Sequence, residues 1–328
     1  TRVAPSENPE GVSMDRRCRI CGNTHSNEEF RIREMMFGSG KDYMYFQCSH
    51  CRCLQIADVP VDMLEHYPDN YYSMKPENPL VFWLKCHWMS YSAFGRNPIG
   101  LLASRVYGRH EVCDWMRIAT LRRDSHILDI GCGGGVLLRK LAAIGFSKTE
   151  GLDKYIKEEG DVGGVTIWKR EVSQLVSVYD FILLYYSLEH MDDHLQVLKD
   201  IHARLKPGKQ VVIKIPVIDK YAWRTYGTNW MHLDAPRHFY IHSEKSMELL
   251  ARAAGFHVAQ IVYGSNASQF WGSEQYKEDV HLTDERSYAV DPSRSMFSKK
   301  RIREFSRLAS KLNVEGDGDL ASFYLHKP

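Results

Sequence analysis

The chain has 328 residues, of which 44% are hydrophobic and 26% are charged, with only 12 prolines and 23 glycines. This composition is that of a folded globular protein and excludes a collagen, a coiled coil and an intrinsically disordered chain. Lys and Arg total 43 against 41 Asp and Glu, so the formal charge of +2 gives no chain-wide attraction for nucleic acid or anionic lipid. The length suits one large α/β domain with a smaller module.

The distribution of apolar residues and cysteines bears on the compartment. Residues 1–17 contain no apolar run of the signal-peptide kind, and the apolar stretches near Trp88 and Leu101 are interrupted by basic residues. Because a spanning helix needs about 20 apolar residues, we expect no membrane-spanning segment and a soluble, cytoplasmic protein. Five of the eight cysteines lie between positions 18 and 53, and such crowding in a reducing compartment favours metal binding over disulfides.

The amino-terminal module, residues 1–75, contains two CxxC pairs separated by 26 residues: Cys18 and Cys21, then Cys48 and Cys51. Two such pairs can close a tetrahedral, all-sulfur site around a structural Zn²⁺. Between them, alternating residues near Phe30 and Tyr43 flank a Gly-Ser-Gly turn, which predicts a hairpin. The sequence therefore predicts a zinc ribbon that takes most of its folding energy from the metal.

Two questions about this module stay open. Cys53, His25 or His50 could replace Cys51 as the fourth ligand. Residues 1–75 contain nine Lys and Arg against eleven Asp and Glu, a net charge of −2, which disfavours binding to a phosphate backbone.

Residues 59–74 are rich in Asp, Pro and Tyr and read as the turn-forming exit from the ribbon. The next segment, 76–120, is dense in large apolar residues, and we predict helices on either side of a break at 95–98. These aromatics could pack the ribbon onto the next domain, cover an amphiphilic acceptor as a lid, or form the interface of a homodimer.

A strand, a glycine turn and a helix follow one another from His126. Glycines at 131, 133 and 135 let backbone amides approach a ligand at the carboxyl end of the strand. Position 136 is Val where a dinucleotide-binding loop has its third glycine, and Asp129 precedes the first glycine by two positions. A carboxylate at this place suits a ligand with an ammonium group and would repel a pyrophosphate.

The sequence LDIGCGGG at 128–135 resembles motif I of the class I S-adenosylmethionine-dependent methyltransferases. The resemblance continues in chain order with a strand that ends at Asp153, a strand that enters Leu188-Glu189-His190, and a Lys-Pro-Gly strand entry at 206–208. It implies that residues 121–328 form a Rossmann-like α/β domain whose mostly parallel, seven-stranded sheet has an antiparallel last strand. The candidates for the closing hairpin are 256–262 and 321–325, which flank an insertion, 265–320, with a basic helix at 298–312.

In that family the residue corresponding to Asp153 bonds the ribose hydroxyls, and the region of Glu171 lies near adenine. The resemblance therefore implies the following residues as S-adenosylmethionine ligands: Asp129, Gly131, Cys132, Gly133, Gly135, Asp153, Lys154, Glu171 and Ser187.

The segment 229–242 follows the fifth strand, where such folds build the acceptor wall, and it contains three histidines, an Asp and an Arg. Methyl transfer to oxygen or carbon needs a base, which makes these residue types relevant. We predict as catalytic residues His232, His238, His190 and Glu189, and as acceptor-binding residues Arg237, Tyr186 and Trp230. Structural alternatives stay open: His190 and His242 could serve helix starts, and Asp234 could serve a turn.

The order of ribbon, methyltransferase core and LDAPRH segment is similar to bacterial methyltransferases of sugar modification, in polysaccharide, surface-glycan or secondary-metabolite biosynthesis. This implies C- or O-methylation of a sugar or nucleotide-activated sugar, with Arg237 at a diphosphate. These 328 residues do not include the long carboxyl-terminal domain of the sugar C-methyltransferases, so C- and O-methylation both stay open. Two other classes remain: a zinc-ribbon RNA methyltransferase, for which the basic stretch 297–307 speaks, and a non-catalytic cofactor-binding scaffold.

Overall fold

The structure is a computed structural model that describes residues 16–67 and 77–328. Residues 1–15 therefore lie outside the described residues, and so does part of the predicted exit segment 59–74. The described chain forms two β-sheets, a small one near the amino terminus and a large one flanked by helices. Within these residues, no helix combines the length and the apolar character that crossing a membrane requires.

The small sheet contains the predicted hairpin and two further strands. Its members are β1 (Glu28–Arg33), β2 (Asp42–Gln47), β3 (Leu54–Ile56) and, far along the chain, β10 (Tyr240–Ile241). β1 and β2 pair antiparallel with Phe30 opposite Tyr45, which confirms the hairpin. β10 pairs antiparallel with β3 and places Tyr240 opposite Gln55. The amino-terminal module thus shares its sheet with a strand from the carboxyl-terminal half of the chain.

Three helices connect the small sheet to the large one: α1 (Pro79–Phe94), α2 (Pro98–Tyr107) and α3 (Val112–Ile118). The predicted break is confirmed, because Gly95 ends α1 with a φ of 70° and the Asn97 side chain caps α2. Trp115 of α3 is fully buried and its ring centroid lies 5.9 Å from that of Phe181. α3 therefore packs into the core of the large domain.

The large domain alternates strands and helices, as the resemblance implies. Its strands are β4 (His126–Ile130), β5 (Lys148–Leu152), β6 (Gly160–Asp161), β7 (Thr166–Trp168), β8 (Tyr179–Tyr185), β9 (Leu205–Pro216), β11 (His257–Tyr263) and β12 (Leu320–His326). Its helices are α4 (Val136–Ala143), α5 (His194–Arg204), α6 (Tyr221–Tyr226), α7 (Glu244–Ala253), α8 (Ser268–Lys277) and α9 (Lys299–Glu315).

The strands of this sheet lie in the order β11-β12-β9-β8-β4-β5-β7-β6. β7, β5, β4, β8 and β9 are parallel, and β12 is antiparallel to both β9 and β11, in agreement with the predicted closing hairpin. The predicted number of seven strands is wrong, because the described sheet has an eighth, β6, at its edge. β6 turns back onto β7 through Gly163 and Gly164, whose positive φ angles of 64° and 84° suit a tight hairpin turn.

The interior consists of three groups of buried apolar side chains. Two groups cover opposite faces of the large sheet, so that Phe181 and Leu183 lie in one and Ile182 and Leu184 in the other. The third fills the space between the small sheet, the segment 218–241 and the helices α8 and α9. The ribbon module, the predicted acceptor segment and the predicted insertion therefore share one core.

Candidate functional site

The glycine loop joins β4 to α4 at the carboxyl edge of the large sheet, where α/β folds bind ligands. Gly131 and Gly135 have φ angles of 75° and 68°. A Cβ atom on Gly131 would lie 2.4 Å from the Cβ atom of Ser187, which leaves no room for a larger residue. The Gly131 N–H donates to the Leu152 carbonyl at 2.6 Å. The loop is thus held between the end of β5 and the turn after β8.

Two predicted cofactor carboxylates lie beside this loop. Asp153 accepts hydrogen bonds from the Gly133 and Tyr155 N–H groups at 2.9 and 2.8 Å. Asp129 is 3% exposed, and its Oδ1 atom has no hydrogen-bond partner in the described part of the chain. Burial, together with the charge of Asp153, raises the pKa of Asp129 well above its usual range. Such a buried oxygen fits a donor from a ligand, as the ammonium group of S-adenosylmethionine would supply.

Of the remaining predicted cofactor residues, two lie at the glycine loop and two lie on the exposed surface of the same sheet edge. Ser187 is buried and its hydroxyl donates to the Ile130 carbonyl at 2.7 Å, which ties the turn after β8 to β4. Cys132 is half-buried within the glycine loop. Lys154 and Glu171 are exposed, so they occupy the outer part of this edge.

On the other side of the turn after β8 lie Glu189 and His190. Glu189 is 1% exposed, and neither of its carboxylate oxygens has a partner among the residues that the structure describes. Burial raises the pKa of Glu189 to about 8. The His190 ring lies 4.7 Å from the ring of His238, measured between centroids. The structure therefore brings three of the four predicted catalytic residues together: Glu189, His190 and His238.

The fourth, His232, forms a dyad with an aspartate that the sequence analysis missed. His232 Nδ1 lies 2.8 Å from Asp319 Oδ2, and Asp319 is fully buried. The same Oδ2 atom accepts from the Trp230 indole N–H at 2.9 Å. Because β12 is antiparallel, its amino end, where Asp319 stands, lies at the same sheet edge as the carboxyl ends of the parallel strands. An acidic residue directly before an antiparallel last strand is the signal that could have revealed it.

Arg237 and Trp230, two of the predicted acceptor-binding residues, are both buried, and the Nη1 atom of Arg237 has no hydrogen-bond partner among the described residues. Arg237 is fully buried and pairs with Glu34 at 2.9 Å and with Asp234 at 2.6 Å. These two carboxylates raise the pKa of Arg237 and already balance its charge. Trp230 is 1% exposed and packs in the core shared with the ribbon. Tyr186, the third predicted acceptor residue, is half-buried directly after β8 with a φ of 57°.

The ribbon module holds the predicted acceptor segment, 229–242, and the residue that follows it through hydrogen bonds. The Tyr45 hydroxyl donates to the His238 carbonyl at 2.9 Å. The Ser243 hydroxyl donates to the Cys51 carbonyl at 2.6 Å. Glu34, besides pairing with Arg237, accepts from three backbone N–H groups of its own turn. The segment that carries His232 and His238 is therefore built against the ribbon.

The four predicted metal-binding cysteines cluster, with one sulfur atom of each within 4.8 Å of the others. The Cys18–Cys51 and Cys21–Cys48 sulfur pairs are both 3.5 Å apart. Zn–S bonds of about 2.3 Å in a tetrahedron give sulfur separations of about 3.8 Å, so the cluster fits Zn²⁺. All eight cysteines lie in described residues and are free thiols. Cys53 lies outside the cluster, beside His242 at 4.0 Å.

Comparison with known proteins agrees with the site geometry. Residues 106–261 match a family described as a methyltransferase domain. The ubiquinone biosynthesis O-methyltransferase of Rickettsia felis is 30% identical over 96 residues, which cover 26% of this chain and 39% of that protein. Its namesake in Bordetella avium is 28% identical over 157 residues, 43% of this chain and 65% of that protein. The chain thus spans less than two thirds of either relative's length.

The solved structure of the cyclopropane synthase MmaA2 from Mycobacterium tuberculosis covers 66% of this chain and 84% of its own, with 16% identity and a TM-score of 0.41. A likeness at that level says nothing about the acceptor. The matched family and the two relatives agree with the glycine loop and its two carboxylates. The match to a methyltransferase domain is confined to residues 106–261, which contain the glycine loop, Asp129 and Asp153.

Proposed function

We propose that this chain is an S-adenosylmethionine-dependent methyltransferase and that it methylates a hydroxyl group of a small molecule; the match of residues 106–261 to a methyltransferase domain supports the first part. The proposal depends on one observation: two groups of polar residues lie on either side of the same turn, at one edge of the large sheet. The glycine loop with Asp129 and Asp153 lies on one side of the turn after β8, and the His232–Asp319 dyad belongs to the other. The first group suits the cofactor and the second suits removal of a proton from the acceptor.

The cofactor, when bound, supplies an electrophilic methyl group on a sulfonium, so the protein has to align the acceptor and take up its proton. Asp129, whose Oδ1 atom lacks a partner in the described chain, would accept from the ammonium group. Asp153 stands at the end of β5, where a carboxylate can accept from both hydroxyls of a ribose. The glycine loop between them leaves space that any side chain at Gly131 would fill.

His232 is our candidate for the general base. Asp319 can only accept at Oδ2, so His232 Nδ1 carries the proton of that hydrogen bond and Nε2 is left to accept one from the acceptor. The buried aspartate would also stabilise the imidazolium that forms. The His232 side chain keeps 18% of its surface exposed, which leaves it open to an acceptor.

An oxygen acceptor agrees with the printed names of both curated relatives, which are O-methyltransferases. A sugar or nucleotide sugar is a narrower proposal that rests on the sequence resemblance alone. Its predicted diphosphate contact stays a prediction, since Arg237 is fully buried and already pairs with Glu34 and Asp234. We also propose that the four clustered cysteines hold a structural Zn²⁺.

Calorimetric titration with S-adenosylhomocysteine tests the cofactor site. We expect the wild type to bind and Asp153→Ala to bind at least about tenfold more weakly, because a charge-assisted contact of about 1.4 kcal/mol or more is lost. Asp124→Ala is the matched control, since Asp124 is an exposed carboxylate on the same domain. A wild type that does not bind would contradict the methyltransferase assignment.

A methyl-transfer assay tests whether His232 is the general base. With a panel of sugar and phenolic acceptors, and S-adenosylhomocysteine as the product measured, His232→Ala should lower the rate about 10²- to 10⁴-fold. Its affinity for S-adenosylhomocysteine should stay unchanged. His257→Ala, at an exposed position on β11, is the control. Tight cofactor binding without turnover on any acceptor would favour the non-catalytic scaffold instead.

A further inference from the structure

Glu189, His190 and His238 form a second cluster of potential metal ligands, apart from the four cysteines. One ligand atom from each of the three lies within 4.8 Å of the other two. Glu189 and His190 come from the turn after β8, and His238 comes from the segment that the ribbon supports. Two rigid parts of the fold therefore converge on this point.

Both histidines are fixed in the same tautomer. His190 Nδ1 lies 2.9 Å from the Arg237 carbonyl oxygen, and His238 Nδ1 lies 2.9 Å from the His232 carbonyl oxygen. The Tyr67 hydroxyl, 3.1 Å from His190 Nδ1, can accept from the same N–H. A carbonyl can only accept, so each Nδ1 carries the proton and each Nε2 has a free lone pair. Metal-binding histidines are commonly oriented in this way, with the second ring nitrogen donating to a backbone carbonyl.

Glu189 supplies the third position, with a carboxyl group that a bound cation would hold in its ionised form. Its side chain is 1% exposed, and both carboxylate oxygens lack a partner in the described residues. The peptide group is fixed independently, because the Glu189 carbonyl accepts from the Phe239 N–H at 2.8 Å. Burying a carboxylate without a donor or cation is costly, and native proteins rarely leave both oxygens unsatisfied.

We propose that Glu189, His190 and His238 bind a divalent first-row transition-metal cation that holds the acceptor hydroxyl. Two imidazoles and one carboxylate suit such a cation better than Mg²⁺ or Ca²⁺, which prefer all-oxygen sites. Three protein ligands leave coordination positions open, in contrast to the closed four-cysteine site. The inference rests on the proposed function in one respect, namely that the open positions take the acceptor's oxygen atoms.

The site favours an acceptor with two neighbouring oxygen atoms, because a chelating pair would fill two open positions together. Coordination lowers the pKa of the hydroxyl. Its proton then passes to His232 Nε2, and its oxygen forms the bond to the methyl carbon. The S–CH3 bond breaks with its electron pair remaining on sulfur. The products are a methyl ether and S-adenosylhomocysteine.

Calorimetric titration of the full, zinc-loaded chain with Co²⁺, in the absence of cofactor and acceptor, tests the site. We expect Co²⁺ to bind the wild type without a thiolate charge-transfer absorption, since the cysteines keep their zinc. Glu189→Gln and His238→Ala should each weaken Co²⁺ binding by at least about tenfold, because each removes a ligand and even the loss of a residue that only hydrogen-bonds to a ligand costs about 10- to 100-fold in metal affinity. His232→Ala is the matched control, because it removes the base and leaves the three ligands in place.

The folding of each variant is checked by its zinc content and by its affinity for S-adenosylhomocysteine, both of which should equal those of the wild type. If Glu189→Gln does not fold, His190→Ala gives the same test from the other ligand type. A wild type that binds S-adenosylhomocysteine but no Co²⁺ would overturn the metal site and leave the proposed function intact. Equal Co²⁺ binding in wild type and variants, or a thiolate absorption, would overturn it as well. A wild type that binds Co²⁺ but no S-adenosylhomocysteine would contradict the proposed function.

Discussion

The proposed cofactor side and the proposed acceptor side of the candidate site are assembled differently. The cofactor side consists of turns that follow consecutive strands, and its glycine loop and Asp153 are joined across only 20 positions of sequence. The acceptor side depends on contacts between distant parts of the chain. Arg237 and Glu34 are 203 positions apart, and Tyr45 and His238 are 193 apart.

This difference predicts that the ribbon supports the proposed acceptor side. Its strand β3 pairs with β10, its Tyr45 holds the His238 carbonyl, and its core merges with that of the acceptor segment. Damage to the ribbon should therefore disturb the acceptor side and spare the cofactor side.

Cys48→Ser removes one of the four clustered thiolates. Metal binding supplies about 10–16 kcal/mol of apparent free energy in small zinc peptides, so we expect the variant to lose its zinc and its ordered ribbon. Methyl transfer should fall to background, whereas the affinity for S-adenosylhomocysteine should stay that of the wild type. Metal analysis, an activity assay and calorimetry measure the three quantities.

Cys53→Ala is the matched control, because Cys53 is a buried neighbour outside the cluster. It should keep the zinc content of the wild type. If Cys53→Ala lost the zinc and Cys48→Ser kept it, the proposed ligand set would be wrong. If Cys48→Ser lost cofactor affinity as well, the two sides would not be separable.

Arg237→Met leaves Glu34 and Asp234 as buried carboxylates without a counter-charge. Removing one partner of a buried ion pair costs about 3–5 kcal/mol, and we expect a fall of that size in the free energy of unfolding. Arg294→Ala is the control, because Arg294 and Glu285 are 53% and 67% exposed and such pairs contribute about 0–1 kcal/mol. Urea unfolding followed by tryptophan fluorescence measures both. If Arg237→Met and Arg294→Ala lowered the free energy of unfolding equally, the ion pairs of Arg237 would not stabilise the contact between the ribbon and the acceptor segment.

The sequence predicts the cofactor side of the site better than it predicts the acceptor side. The glycine loop, Asp129 and the order of strands are local patterns, and each could be recognised from neighbouring residues. Sequence spacing alone could not decide between Cys51 and Cys53, since both are close enough to Cys48. It could not show that Arg237 is neutralised by Glu34, because nothing along the chain links positions so far apart. The histidines of the acceptor segment were recognisable as residue types, but the Asp319 partner of His232 required the antiparallel placement of β12.

The smallest predicted effect is a change in how the free energy of unfolding depends on pH, caused by a buried histidine between the ribbon and the acceptor segment. His242 is fully buried beside Cys53 and His194, and burial lowers its pKa from 6.5 to about 3. The folded protein therefore keeps His242 neutral, while the unfolded chain takes up a proton as the pH falls through 6.5. The contribution of His242 to the free energy of unfolding is complete above pH 6.5 and decreases toward pH 3. Between pH 7 and pH 6 it should decrease by about 0.7 kcal/mol.

His242→Gln removes this titration. Whatever the variant costs in stability at pH 7, its free energy of unfolding should change less between pH 7 and pH 6 than that of the wild type, by about 0.7 kcal/mol. Urea midpoints at the two pH values measure the difference, and His257→Gln, at an exposed position on β11, is the control. An identical pH dependence in wild type and His242→Gln would mean that this histidine is not kept neutral by the packing of ribbon against acceptor segment. A reduced dependence would show that the junction stays closed to protons in the folded state, as the shared core of the two regions requires.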